Sequence, residues 1–187
     1  TSMASYILTR VTKSRLLSVY FSLGIMIPVH ALLIPSVLIF KRLHLIDHLS
    51  GLMIVYTAVN ISFAMFIMNG FMEGIPRELD EAATIDGCGR AGIFFHIVFP
   101  VAKPGIATVA TITFLNCWND LLLGLVLIST PARKTLSMTI SALKGSYVTQ
   151  YGLLCAGFVI SIVPVVFMYL LFQKQVIAGM TAGAVKG

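Results

Sequence analysis

The sequence is short of charge. Thirteen Lys and Arg with seven Asp and Glu make up 11% of its 187 residues, against about 25% in soluble domains. That scarcity excludes a disordered chain, a nucleic-acid-binding domain with a basic surface and almost any soluble enzyme. A Gly-x-x-x-x-Gly-Lys-Ser/Thr phosphate loop is also missing, so ATP hydrolysis is not assigned to this chain. Cys88, Cys117 and Cys155 form no close pair, and two of them lie in apolar stretches. Such cysteines read as packing residues, with no disulfide and no metal site. Segments of about 10 alternating residues are absent, which excludes a transmembrane barrel. Residues 1–15 lack a basic start followed by an apolar run and a small-residue cleavage site, so no secretory signal peptide is read. Instead Met3–Leu8 reads as the tail of a further apolar helix ending before Arg10. With Thr1 where an initiator would stand, the expectation is a chain lacking its natural N-terminus.

What is present is apolar. Hydrophobic residues reach 58% and the mean hydropathy is +0.95. Windows 16–40, 52–72, 104–128 and 151–173 make up about half the chain and hold one charged residue, Asp120. A bilayer core of about 30 Å takes roughly 20 helical residues, which each window supplies. The expected fold class is therefore all-α, a polytopic transmembrane helix bundle forming a single domain. Arg10, Lys13, Arg15, Arg77, Arg90, Lys103, Lys174 and Lys186 fall on one side of such a bundle. Lys41, Arg42, Arg133, Lys134 and Lys144 fall on the other. The excess places the 10–15 loop and the C-terminus inside. The net charge of +6 suggests contact with lipid headgroups and no nucleic-acid partner.

Inside the windows, Pro28 and Pro35 each remove a backbone hydrogen bond and are expected to bend the first span, as a kinked packing helix or a moving gate. Thr57 and Asn60 stand at i, i+3 in the second, with Asn69 near its end and Gly70-x-x-x-Gly74 beyond, a packing spacing. The third places Thr113, Asn116 and Asp120 at i, i+3, i+7 beside Asn119, giving one polar face, with Trp118 near mid-span. An ionisable residue at membrane depth costs a few kcal/mol and normally faces a bundle interior or a water-filled path. One reading is an interhelical hydrogen-bond clamp. The other is a solute path for a hydroxyl-rich molecule, lined by Thr57, Asn60, Thr113, Asn116, Trp118, Asn119 and Asp120. No second acid occurs in any span to complete a proton relay; His30 is the other candidate.

The loop Glu73–Lys103 is too long and patterned for a connector. Pro76 fits a first helical position, and Glu78, Asp80 and Glu81 complement a helix start. Gly87 suits a left-handed helix end. Leu79, Ala82 and Ala83 share a face by i, i+3, i+4 spacing, giving a narrow small-residue surface. Ile93–Phe99 is apolar but too short to span, and Pro100 and Pro104 interrupt the chain immediately after it. A short amphipathic, acidic helix beside an interfacial apolar segment suits docking in a groove of a second protein. The alternative is a surface helix lying on its own bundle.

Glu81-Ala82-Ala83, then Gly87, then Ile97-x-x-Pro100 resembles the "EAA…G…I-x-L-P" signature of ABC importer permeases, with Phe99 where Leu is usual. The likeness extends to Ile75–Leu79, Ile85-Asp86-Gly87, Trp118-Asn119-Asp120 and the ending Gly179–Gly187. With these the chain resembles the maltose-type (MalG-like) carbohydrate permeases, inner-membrane components of binding-protein-dependent transport. Ser62 stands where such permeases commonly have Pro, and Gln175 replaces a usual aromatic.

The resemblance implies a permease subunit importing a sugar or oligosaccharide across a bacterial-type inner membrane. Its implied partners are a homologous permease, two cytoplasmic ATPase subunits carrying ATP and Mg, and an extracytoplasmic sugar-binding protein. It implies no cofactor on this chain and no catalytic residue. Glu78, Glu81, Ala82, Ala83, Asp86 and Gly87 would form the ATPase-coupling contact, and the loops around 41–51 and 129–150 would face the binding protein. Six spans are usual in this branch, so the first and most of the second would be missing. The rival expectation is an ATP-independent, ion-coupled secondary transporter or channel using Asp120. An intramembrane enzyme lacks any nucleophile–base or metal constellation. Gly87-x-Gly89-x-x-Gly92 follows an acidic helix and not a strand, so it is not read as a dinucleotide site. His44 and His48 flank Asp47, but two ligands without a third do not make a zinc site.

Overall fold

A computed structural model describes residues 1–12, 14–143 and 150–184, with side chains as far as 173. Lys13, Lys144, Lys186 and the last three residues of the tail motif lie outside the described residues. Every regular element described is helical. The chain opens with α1 (Ser2–Tyr6), which runs on as a π turn, Ile7–Val11. α2 (Arg15–Leu23) and α3 (Leu33–Arg42) come next, then α4 (Leu49–Gly74) and α5 (Glu78–Ile85). After these stand α6 (Arg90–Ile93), a second π turn Phe94–Val98, α7 (Phe99–Val101) and α8 (Lys103–Asn119). α9 (Leu122–Leu127), α10 (Leu136–Ala142) and α11 (Tyr151–Ala184) complete the order.

Among the described residues, Leu49–Gly74 and Tyr151–Gln173 are each long and apolar enough to cross a membrane. Two interrupted pairs also qualify if each is one span: Arg15–Met26 with Val29–Arg42, and Arg90–Val101 with Lys103–Asn119. The windows at 52–72 and 151–173 thus coincide with unbroken helices, whereas the other two windows do not. Window 16–40 stops at Ile27–Pro28, where Pro28 is extended (φ −63°, ψ 127°); it has no N–H and disfavours an α conformation in the residue before it. Pro35 does not bend α3 as expected. It lies in the first turn of that helix, where N–H groups have no intrahelical acceptor. Window 104–128 ends its helix at Asn119 and restarts at Leu122.

The chain divides into two compact units. The first comprises residues 1–26, 60–113 and 172–187. Its core joins Tyr6, Met68, Met72, Ile75, Ala83, Ile93, Phe94, Val98 and Ala102. Met65, Met68 and Met72 recur at i, i+3, i+7 and are buried, which is one stripe of α4. Ile93, Phe94 and Val98 belong to this core as well. The segment Ile93–Phe99 is thus part of a helical run that buries these three residues and leaves Phe95 exposed, and that run turns by 72° into α8, where Pro104 has no N–H to continue the ladder. Ser5, fully buried, donates to Asn69 Oδ1 at 2.6 Å. Gly70 and Gly74, expected to pack, have nothing within 4 Å of where a Cβ would stand. Close approach occurs elsewhere: a Cβ on Gly24 would lie 2.1 Å from Ser62 Oγ, and one on Gly105 would lie 2.5 Å from Phe71.

The second unit comprises residues 27–59 and 114–171. Phe40, Leu52, Val55, Leu123, Leu127, Ile128 and Met138 form its core. Thr135 caps α10 by accepting from Met138 N–H. Across Tyr151–Leu171, by contrast, most large apolar side chains are exposed.

Candidate functional site

α5 is built as its sequence suggests at both ends. Glu78, Asp80 and Glu81 occupy the first turn, where negative charge meets the positive helix end. The N-cap is Arg77, so Pro76 precedes the cap and does not take the first helical position. At the other end Gly87 has φ +82°. Cys88 N–H donates to Ala83 O at 2.9 Å and Gly87 N–H to Thr84 O at 3.1 Å, the paired bonds of a Schellman ending that favours glycine.

The face of α5 differs from the expected one. Ala83 is 4% exposed and packs into the core of the first unit. It does not share an outer surface with Leu79 and Ala82. The outward set is Glu78, Glu81, Ala82 and Ile85, with Asp86 and Gly87 next in the chain; Ile85 is 86% exposed. Residues 78, 81, 82 and 85 have i, i+3, i+4, i+7 spacing and so form one stripe. An apolar tip flanked by two acids is thus presented outward, and Ile85 is the member that the alanine pattern missed.

Asp80 turns the other way. Its Oδ2 accepts from Arg10 Nη1 at 2.6 Å. Arg10 Nε and Nη2 also donate to Met72 O at 3.1 and 2.8 Å, and Nη2 donates to Ile75 O. Sequence reasoning missed this arrangement because the partners are 70 positions apart and the acid already had a local explanation at the helix start.

The residues proposed to line a solute path divide between the units: Asn60 and Thr113 fall in the first, and Thr57, Asn116, Trp118, Asn119 and Asp120 in the second. In the second unit, Asp120 Oδ2 accepts from Tyr56 O–H at 2.9 Å and from Gly124 N–H at 3.0 Å, while Oδ1 accepts from Leu123 N–H at 3.4 Å. From the position before the N-cap Leu121, the acid satisfies two first-turn amides of α9 and ties α4 to it through Tyr56. Trp118 stacks on Phe114 with ring centroids 5.5 Å apart, and its indole N–H donates to Ser161 O at 3.1 Å. Thr57 is exposed and bonds its own helix at Met53 O. Asn116 and Asn119 are exposed on α8. In the first unit, Asn60 is buried.

At one end of the second unit Asp47 joins two loops. Its carboxylate accepts from Thr130 Oγ1, Thr130 N–H at 2.8 Å and Ser129 N–H at 2.9 Å, with Arg133 beside it at 3.4 Å. Asp47 N–H donates to Leu127 O at 2.7 Å. Asp47 and His44 both have positive φ, 60° and 56°. The Thr130 hydroxyl first, then the two amides and Arg133, hold the Asp47 carboxyl well below the usual carboxylate range. Those bonds commit Asp47 to the loop and not to a metal between His44 and His48. His44 instead lines a cavity of about 530 Å³ with Val37, Lys41, Ile46 and Val126.

Comparison with known proteins gives a consistent result. The family described as "Binding-protein-dependent transport system inner membrane component" matches residues 2–181. The chain is 34% identical over 188 residues to the sulfoquinovosyl glycerol transport system permease protein SmoH of Agrobacterium fabrum, covering 99% of this chain and 66% of that one. It is 36% identical over 187 residues to the probable starch degradation products transport system permease protein AmyC of Thermoanaerobacterium thermosulfurigenes, covering 99% and 68%. Among solved structures it resembles a chain of a bacterial ABC transporter involved in the import of the acidic polysaccharide alginate. There the TM-score is 0.72 and the identity 26%, over 92% of this chain and 66% of that one.

Proposed function

This chain belongs to the family of binding-protein-dependent transport system inner membrane components, and on that premise we propose that it serves as a permease subunit of an ATP-driven importer for a sugar or oligosaccharide. The family is one of membrane components and not of catalytic chains. In this reading α5 is the coupling helix. Glu78, Glu81, Ala82 and Ile85 enter a groove of a cytoplasmic ATPase subunit, and Asp86 and Gly87 turn the chain away from it. ATP and Mg stay on the ATPases. Closure of the two ATPases moves α5, and the spans respond by alternating access. A homologous permease completes the pathway, and a sugar-binding protein delivers the solute to the outer loops.

One observation carries the proposal: an acidic helix with an 86% exposed isoleucine, closed by a left-handed glycine. Isolated in water, such an apolar tip is unfavourable by about 1.5–3 kcal/mol relative to burial, so a partner surface is its natural setting. Glu81 is free to meet a basic group there. Asn116 and Asn119, exposed on α8, with Thr57 on α4, support a polar path for a hydroxyl-rich solute. The ion-coupled reading has less support, because both oxygens of Asp120 already hold backbone amides.

Copurification from the membrane tests the proposal. It expects an ATPase chain bound in stoichiometric amount and uptake that requires ATP. Uptake by this polypeptide alone, without an ATPase, would overturn it.

A further inference from the structure

Arg10 sits in the π turn that ends the first helical run, and its side chain is 5% exposed. Three segments meet on its guanidinium: the last turn of α4 through Met72 O, the link after it through Ile75 O, and the first turn of α5 through Asp80. Each meeting has a physical cause. The final carbonyls of a helix have no intrahelical donor and carry its negative dipole end, which a cation satisfies. Asp80 stands at the positive start of α5 and supplies the opposite charge. A planar guanidinium fork can serve carbonyls and a carboxylate together, which an ammonium point charge cannot.

The link between α4 and α5 is short. It consists of Ile75, Pro76 and Arg77; Ile75 is buried, and Pro76 has its φ set by the ring. The other Asp80 oxygen, Oδ1, is buried and has no hydrogen-bond partner among the described residues. Loss of Arg10 would therefore leave a poorly compensated acid where burial penalises charge.

We propose that Arg10 is a positioning residue that fixes the angle between α5 and the end of α4. A push on α5 is then carried into α4 and the first helix, and is not absorbed by Ile75–Arg77. The proposal rests on the reading of α5 as the coupling helix.

The test uses the assembled transporter in lipid nanodiscs and proteoliposomes. Spin labels go on Cys88, which is exposed, and on Gly70→Cys, where nothing lies within 4 Å; Cys117 and Cys155 are replaced by Ser. With Arg10 present, one narrow distance distribution between the labels is expected. Arg10→Gln and Asp80→Asn should each broaden it, and the double variant should be no broader than either. Unlabelled, both variants should keep their ATPase subunits and lose solute uptake per ATP hydrolysed several-fold. Arg10→Lys should not restore it. If Arg10→Gln fails to assemble, Asp80→Asn decides, since it keeps the carbonyl bonds and an isosteric side chain. An unchanged distribution overturns the positioning role whatever α5 does. A broadened distribution with unchanged uptake per ATP instead overturns the coupling reading, and the proposal with it.

Discussion

Asp120 separates two kinds of role by one pair of substitutions. As the acceptor for Tyr56 and for first-turn amides of α9 it needs an oxygen, which asparagine supplies much as it does at helix starts. Asp120→Asn should therefore retain most ATP-driven uptake, while Asp120→Ala should lose about 1 kcal/mol of local stability and much of the uptake. An ion-coupled carrier would show the reverse emphasis, with Asp120→Asn already inactive. The acceptor role was legible in outline, since Asn119-Asp120 precedes a short apolar run, but a lone charge in an apolar window draws attention first to a solute path. Asp47 makes a second prediction at this scale. Its folded pKa lies below its unfolded value, so its contribution is fully present above the unfolded pKa and lost as pH falls through the folded one. Protection of the Ser129 and Thr130 amides against hydrogen exchange should hold at pH 5 and fall at more acidic pH. Asp47→Asn should lower that protection at pH 5 and flatten its pH dependence.

At the scale of elements, α5 shows what a sequence can and cannot specify. Its acidic first turn and its glycine ending mark both limits to within a residue. Its rotation is not marked, because Leu79, Ala82 and Ala83 straddle the boundary between buried and exposed sides. Only the stripe of α4 and the run Ile93–Val98, packed against the same core, decide that Ala83 turns inward. Ala83→Leu should accordingly overpack this core, at a cost of about 1–3 kcal/mol seen as a lower melting temperature. Ala82→Leu should melt like the parent, within about 0.5 kcal/mol, and show its effect on ATPase attachment. Equal melting of the two variants would contradict the placement of the helix. Proline positions likewise needed the structure: Pro28 is extended and separates two helices, having no N–H and disfavouring an α conformation before it, whereas Pro35 is harmless in a first turn.

For the whole molecule, the distribution of 20 charged residues was the most informative feature, because membrane cost acts on every residue of a span. Two windows became unbroken helices, and in the other two the helix breaks at Pro28 and at Asp120–Leu121. The pairings of Arg10 with Asp80 and of Asp47 with Thr130 were not legible, since neither has a local pattern and both join segments far apart in sequence. The chain spans about two thirds of the length of the relatives it matches, and within that length it carries the outward face of α5 on which the coupling proposal depends. The most direct measurement is solute uptake together with ATP hydrolysis in proteoliposomes containing the complete transporter with Glu81→Lys. The expected result is a permease that still inserts and folds, with uptake reduced at least tenfold relative to ATP hydrolysed. Uptake per ATP equal to that of the parent would contradict it.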